Sequence, residues 1–384
     1  MIAKGNFERI GSDEAFYALD VPQIPRTQFR MLTHTDAVGK LFEVLGFDKQ
    51  VGKMRVLGDV MLSAIGHRVV HGGEKFRESV LASPEVLKGV EEVSHFAPLH
   101  NPANLAGVRS CMELLPSVPN VLVFDTAFHA SMPPKAYCYG IAREDAKKFG
   151  IRKYGFHGTS YSFVSKQVAQ MFGKPLDEIK MVVAHLGNGA SVTAIDKGKS
   201  LDTSMGLTPL EGLIMGTRSG DIDVAAAVIL AKLKGLDMDG LVHYLNNSCG
   251  LKGMGGTGTE DMRVLCASAE GGSQDARSAL DAYVHRIVKT IGGLVAVIGG
   301  VDAIAFTAGI GTKNATVREA VMAHFDYLGA NIDKGLNNAP AITGEGRTGV
   351  AEISGKGAKV RTFVVATNEE LEIALEVQEL IEVD

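Results

Sequence analysis

Short apolar runs that stop in polar or glycine-rich turns recur along the chain. They are Ala64-Ile65 leading into His67-Arg68-Val69-Val70-His71, Val121 to Phe124, Met181 to Ala184, Ala303 to Phe306, and Arg361 to Ala366. Runs of this length bounded by turn residues predict buried strands. Between them, apolar positions fall at helical spacing. Val164, Val168, Met171 and Phe172 predict one face of a helix over 161–172, with Thr159 or Ser160 as N-cap and Gly173 then Pro175 as the stop. Leu280, Val284, Ile287 and Ile291 predict a second helix over 278–291. The last helix is expected to start from Asn368 as N-cap and to turn Leu371, Leu375 and Leu380 inward. One-faced helices alternating with strands predict an α/β layer architecture. Phe124-Asp125-Thr126-Ala127 and Phe306-Thr307-Ala308-Gly309 both close an apolar strand and open a turn. That echo suits a duplicated α/β domain with a cleft between the halves.

The length of 384 residues exceeds one ordinary core and predicts two domains. A formal net charge of -5, with no basic stripe, supplies no electrostatic reason to bind nucleic acid. No apolar run approaches a membrane span, since the stretch from Leu294 to Ile310 is broken by Gly299, Gly300 and Asp302. The opening MIAKGNFERIG has no apolar signal core. Cys111, Cys138, Cys249 and Cys266 form no CxxC pair and predict reduced thiols in a cytoplasmic protein. The dinucleotide G-x-G-x-x-G, the Walker A loop, HExxH and G-x-S-x-G are all absent, which argues against a dehydrogenase, P-loop ATPase, zinc protease or serine hydrolase.

The remaining chemistry sits in short polar clusters. In the run Gly66 to Glu74, strand alternation would put Arg68 and Val70 on one face. A guanidinium beside a branched apolar side chain suits a small carboxylate, although an arginine on an edge strand facing solvent reads the same way. His100 lies between two prolines in Ala97-Pro98-Leu99-His100-Asn101-Pro102, and Asp125 ends an apolar run, where it would serve a magnesium ion or cap a turn. His157 stands between Phe156 and Gly158, just ahead of a helix, where a donor would stabilise developing negative charge. His185-Leu186-Gly187-Asn188-Gly189 ends a strand in small residues that can present N–H groups to phosphate. Arg218 again lies between glycines; with Arg68 it would make a two-arginine clamp for a pair of anionic substrates. Gly309-Ile310-Gly311 is expected to be a glycine turn that binds nucleotide or simply joins a strand to a helix capped by Asn314.

Taken in order, GHRVVHGGEKF (66–76), APLHNP (97–102), FDTAFH (124–129), RKYGFHGTS (152–160), HLGNGAS (185–191), TSMGLTPLEGLIMGTRSGDID (203–223), FTAGIG (306–311) and TNEELEIA (367–374) resemble the acetate kinase family. The resemblance implies two duplicated ribonuclease-H-like domains of the actin and Hsp70 type. Residues 1–129 with 363–384 would form the N-terminal-type domain, and residues 130–362 the nucleotide-binding and dimerisation domain. It implies reversible phosphoryl transfer from ATP to acetate with Mg2+, in a cytoplasmic homodimer; a propionate or butyrate kinase is the neighbouring alternative. By the same resemblance Arg68, Asp125, His157 and Arg218 are catalytic. Arg68, Val70, Leu99, His100 and Phe156 hold acetate. His185, Leu186, Gly187, Asn188, Gly189, Asp261, Met262, Arg263, Gly309, Ile310, Gly311 and Asn314 bind the nucleotide. Glu369 and, through water, Asp125 serve the metal.

The chain departs from the family at two places. The family opens with a strand and an N-x-G-S-S-S-x-K phosphate segment that does not occur here. The resemblance therefore implies a late start or a truncated relative with reduced or no catalysis, and an exposed sheet edge in the N-terminal half. After Gly311 the chain has Thr312-Lys313, where the family carries an acidic residue.

Overall fold

The computed structural model describes residues 3–21, 23–48, 53–54, 60–98, 100–342 and 349–382. The chain divides into two compact units, Met1–Phe124 with Ile373–Asp384, and Asp125–Glu372.

The second unit is built on a six-stranded sheet whose centre is Met181–Leu186, buried at every residue. Such a continuous apolar run cannot stand at an edge, so it acquires neighbours on both sides. On one side it pairs antiparallel with Ala190–Asp196, which pairs antiparallel with Lys199–Thr203. On the other it runs parallel to Ala303–Thr307, which runs parallel to Arg361–Ala366, and Gly349–Glu352 closes that edge antiparallel. An antiparallel meander followed by parallel strands added beside its first member is the ribonuclease-H-like order. The helix Gly158–Phe172 buries Tyr161, Val164 and Val168 against Met181, Val183, Ala305 and Phe363. Burying such branched and aromatic side chains contributes about 1.5–3 kcal/mol each.

Three helix expectations change in detail. Gly158–Phe172 begins three residues before Tyr161, with His157 rather than Thr159 or Ser160 at its N-cap, and Met171 is 37% exposed instead of facing the core. The helix expected over 278–291 runs Gln274–Val297, because Ser273 caps it by accepting from the Ala276 N–H and its buried stripe continues to Val295. In the C-terminal helix Glu369–Glu382, Asn368 does accept from the Leu371 N–H, but Leu371 and Leu375 are exposed at 39% and 45%. The packed stripe is the buried Val377 with the partly buried Ile373, Leu380 and Ile381, which pack with Val121 and Val123.

The first unit opens with an antiparallel sheet of Lys4–Glu8, Phe16–Val21 and Ile24–Gln28. A second sheet runs Ile65–Val69 parallel to Asn120–Phe124, with Val80–Leu81 antiparallel on the far side. Among the described residues no strand pairs with the other edge of Ile65–Val69. That strand stops at Val69, so alternation does not carry through to Val70. The N–H groups of Val70 and His71 leave the ladder and donate to Asn104 Oδ1 at 3.2 Å and Asn101 Oδ1 at 3.1 Å. Consequently Arg68 is exposed while Val70 is buried.

Candidate functional site

The turn before the Gly158–Phe172 helix is held in an unusual conformation. His157 has a left-handed φ of 60°, which costs a non-glycine residue about 1–3 kcal/mol unless its surroundings impose it. They do. The Gly158 N–H donates to the Asp125 carbonyl at 2.9 Å, and a Cβ on residue 158 would collide with that oxygen. The N–H groups of Tyr154 and Gly155 both donate to the Gly206 carbonyl at 3.1 Å. The His157 ring is therefore delivered to one place.

That ring has defined neighbours. Its Nδ1 is 2.8 Å from Ser191 Oγ, which lies 2.5 Å from the Tyr161 hydroxyl. Its face stacks on His185, with ring centroids 4.0 Å apart. Ser160 Oγ donates to Thr367 Oγ1 at 3.0 Å and lies 2.9 Å from His185 Nδ1. A hydroxyl has one proton, so Ser160 accepts from His185 Nδ1–H, which sets the His185 tautomer. Thr159 Oγ1 donates to Glu369 Oε2 at 3.4 Å. The two hydroxyls that sequence reading gave to the helix cap instead orient a histidine and meet a carboxylate.

Arg218 comes from a loop that is tied at many points. Asp221 accepts the Gly212 N–H at 2.7 Å through its carboxylate and returns its own N–H to the Gly212 carbonyl at 3.0 Å. Arg286, on the Gln274–Val297 helix, donates to the same carbonyl at 3.0 Å and pairs with Asp221 at 3.4 Å. The Met215 N–H donates to Arg218 O at 3.1 Å, and the Gly216 N–H to Asn188 O at 2.9 Å. Within this frame the Arg218 guanidinium is half-buried, and burial lowers its pKa, though an arginine stays a cation. It meets the Pro209 carbonyl at 3.4 Å and the Met215 sulfur at 3.8 Å, and no carboxylate among the described residues pairs with it. Gly189 lies between the two charged groups: a Cβ there would sit 3.2 Å from Arg218 Nη1 and 3.5 Å from His157 Nε2. Arg218 and His157 thus converge on the Gly187-Asn188-Gly189 turn.

Other expected residues distribute as follows. Asp125 is 1% exposed and Phe156 2%, and the Phe156 carbonyl is 2.9 Å from His129 Nε2. Leu186 is fully buried as the last residue of the central strand. Gly309, Ile310 and Gly311 are not a turn but part of the helix Ala308–Lys313, entered through Ala308 at a φ of 64°. The chain reverses at Ala308, which lets the helix begin directly after the strand. Asn314 spends its side chain internally, accepting the Val317 N–H at 2.9 Å and donating to Cys266 Sγ at 3.4 Å. Asp261 and Arg263 bind each other at 2.5 Å, and that hydrogen bond brings the Asp261 pKa down to about 2. Met262 is a 5% exposed core residue. Arg68, Val70 and His100 belong to the first unit, where His100 is exposed ahead of the Asn101–Leu114 helix. Leu99 lies outside the described residues.

Sequence reading missed Ser191, Thr159 and Ser160 as partners of the site, and Asp221 with Arg286 as the frame of Arg218. Single hydroxyls carry no spacing signal. Asp221 and Arg286 are 65 residues apart, and only the fold joins them.

The family model described as the Acetokinase family matches residues 1–375. An acetate kinase from Agathobacter rectalis is 47% identical over 383 residues, covering 99% of this chain and 94% of that protein. Among solved structures, Porphyromonas gingivalis acetate kinase superposes with a TM-score of 0.90 at 39% identity, covering 99% of this chain and 93% of that one. A propionate kinase from Francisella tularensis superposes with a TM-score of 0.87 at 36% identity, covering 98% and 92%.

Proposed function

Because the chain belongs to the acetokinase family, we infer that it transfers the γ-phosphoryl group of ATP to acetate, giving acetyl phosphate and ADP, reversibly. The observation that carries this reading is the half-buried Arg218 guanidinium, without a carboxylate partner and converging with His157 on a glycine turn. Acetate is already ionised, so an oxygen of its carboxylate attacks phosphorus in line and no general base is needed. The obstacle is repulsion between two anions and the charge spread over the transferring group. Arg218 neutralises that charge, and His157 Nε2 supplies a donor held in place by Ser191 at Nδ1 and by the His185 stack. Pre-organisation matters here because a donor already fixed loses nothing in reorienting as the reaction proceeds. Asn188 and Gly189 bring backbone groups to the phosphates. Arg68, Val70, Leu99, His100 and Phe156 take the acetate-holding roles that the resemblance implies. We assign residues 130–362 to nucleotide binding and dimerisation, and residues 1–129 with 363–384 to the other domain.

Magnesium fits the donors present. Asp125 and Glu369 offer hard carboxylate oxygens, and among the described residues no three His, Cys, Asp or Glu side chains form a closed cage. One or two carboxylates completed by water and phosphate oxygens is the usual Mg2+ arrangement. When bound, the metal would lower the charge of the nucleotide phosphates. No helix among the described residues is long and apolar enough to cross a membrane. A cytoplasmic location is supported by four free thiols. A homodimer is supported by exposed apolar side chains on the helices Val224–Lys234 and Met238–Asn247, where Val224, Leu233 and Met238 are 77%, 80% and 73% exposed.

The test is trapping of acyl phosphate as the hydroxamate, with ATP, Mg2+ and either acetate or propionate. Acetate is expected to give the higher kcat/KM, by about 10–200-fold for one methylene. The similarity to a propionate kinase favours the second reading if the ratio inverts. Absence of hydroxamate with both acids overturns the kinase reading.

A further inference from the structure

Glu372 is a carboxylate of the second unit placed at a cost. Its side chain is fully buried. Oε1 accepts from Ser162 Oγ and from Lys166 Nζ, each at 2.5 Å, while Oε2 has no partner. A buried carboxylate oxygen left unpaired costs free energy that an apolar side chain of similar size would not. The helix does not need the charge in order to pack, since its apolar stripe is Ile373, Val377, Leu380 and Ile381. A carboxylate kept with one oxygen buried and unpaired therefore calls for a role other than stability.

Its placement supplies one. Glu369 and Glu372 are three residues apart in the first turn of Glu369–Glu382, and so lie on the same face of that helix. Thr159 and Ser162 are likewise three apart on Gly158–Phe172, with Lys166 one further turn along. The pairs match in register: Thr159 meets Glu369 and Ser162 meets Glu372. Ser160 adds a third tie, to Thr367. Thr159 meets Glu369 at 3.4 Å, a long contact, whereas the two bonds to Glu372 are short and one is charge-assisted. Fixing Glu372 fixes the rotation of the turn that carries Glu369. The same helix Gly158–Phe172 carries His157 at its N-cap, so both groups are referred to one rigid element.

We propose that Glu372, held by Ser162 and Lys166, is a positioning residue that aims the Glu369 carboxylate at the metal of the phosphoryl-transfer site. The inference rests on the metal role proposed above for Glu369. Residues that orient metal-associated groups typically govern affinity by 10–100-fold.

The test is Mn2+ binding to the full chain with ADP, followed by electron paramagnetic resonance without turnover, together with the thermal unfolding midpoint. Glu372→Met fills the volume without a charge, Glu372→Gln keeps an oxygen for Ser162, and Glu369→Gln is the reference. The expected result is Mn2+ affinity weakened about tenfold in Glu372→Met, less in Glu372→Gln and more in Glu369→Gln, with the Glu372→Met midpoint unchanged or raised. Normal Mn2+ affinity in both Glu372 variants beside a weakened Glu369→Gln overturns the positioning role alone. A fallen midpoint with normal affinity in either Glu372 variant overturns it too, since that is a purely structural effect. If Glu369→Gln itself binds Mn2+ normally, the metal reading fails and takes this proposal with it.

Discussion

The segment around Arg318 and the loop around Arg218 each withdraw a guanidinium from bulk water, and they do opposite things with it. Arg318 is 1% exposed and spends its donors on the chain. Nε donates to Asn337 Oδ1 at 2.8 Å, Nη1 to the carbonyls of Gly311 and Thr312 at 2.9 Å, and Nη2 to the Asn337 carbonyl at 2.5 Å. It closes the C-terminal end of Ala308–Lys313, where carbonyls lack helical partners. Burial brings its pKa down to about 10. Arg218 has a distant carbonyl and a sulfur atom, and a rigid loop that prevents it from finding more. The first guanidinium is a structural strut with its hydrogen bonds consumed. The second has its capacity in reserve, which a protein tolerates where an anion is to be bound.

The sharpest way to break this contrast is to remove each arginine and compare what is lost. Arg218→Ala is expected to lower kcat at least 10²–10³-fold, the usual effect of deleting one transition-state donor. Its urea unfolding free energy should stay close to that of the parent. Arg318→Met is expected to lose roughly 3–4 kcal/mol in the same unfolding measurement, because buried carbonyls are orphaned. If the two variants exchange these phenotypes, the contrast is wrong.

Two histidines extend it. His129 is fully buried, with Nδ1 2.8 Å from Ser200 Oγ and Nε2 2.9 Å from the Phe156 carbonyl, and burial lowers its pKa to about 4. The carbonyl can only accept, so Nε2 donates and the ring is neutral. The folded pKa lies below the ordinary 6.5, so the native state refuses a proton that the unfolded chain accepts. Its contribution is complete above about pH 6.5 and declines by about 3 kcal/mol as the pH falls toward 4. His129→Asn should flatten that part of the stability-versus-pH curve, and an unchanged slope would remove His129 from the account. His157 should instead register in kcat, since its Nε2 points to the Arg218 side. The smallest expected effect is that of Arg286→Met, about tenfold in kcat from a slackened Arg218 loop. Steady-state kinetics showing no change would mean that Asp221 and the backbone ties suffice.

Much of the scaffold was legible in the sequence. Apolar runs bounded by turns located the three mutually parallel strands of the central sheet, Met181–Leu186, Ala303–Thr307 and Arg361–Ala366. The antiparallel strands Ala190–Asp196, Lys199–Thr203 and Gly349–Glu352 were missed because their small and polar residues break the apolar signature. The glycine-flanked segments that carry His157 and Arg218 were also legible as places of close approach, and both side chains do come near Gly189. Helix details were less so. Leu371 and Leu375 are apolar at helical spacing yet exposed, while Ile373 and Val377, equally spaced, do the packing; periodicity cannot choose between two adjacent stripes. The glycines at 309 and 311 read as a turn but sit in a helix, because Ala308 takes the reversal that a glycine was expected to take. Glu372 and Arg318 were invisible. A single buried charge has no spacing, and its partners are 206 residues away in one case and 19 in the other.

The claim that Arg218 acts as an unspent cation is tested most directly by restoring a guanidinium to Arg218→Ala. Free guanidinium added to that variant should recover acetyl phosphate formation saturably, and should do nothing for Arg318→Met. Full turnover by Arg218→Ala without any additive, or no recovery at any guanidinium concentration that leaves the protein folded, would contradict the account.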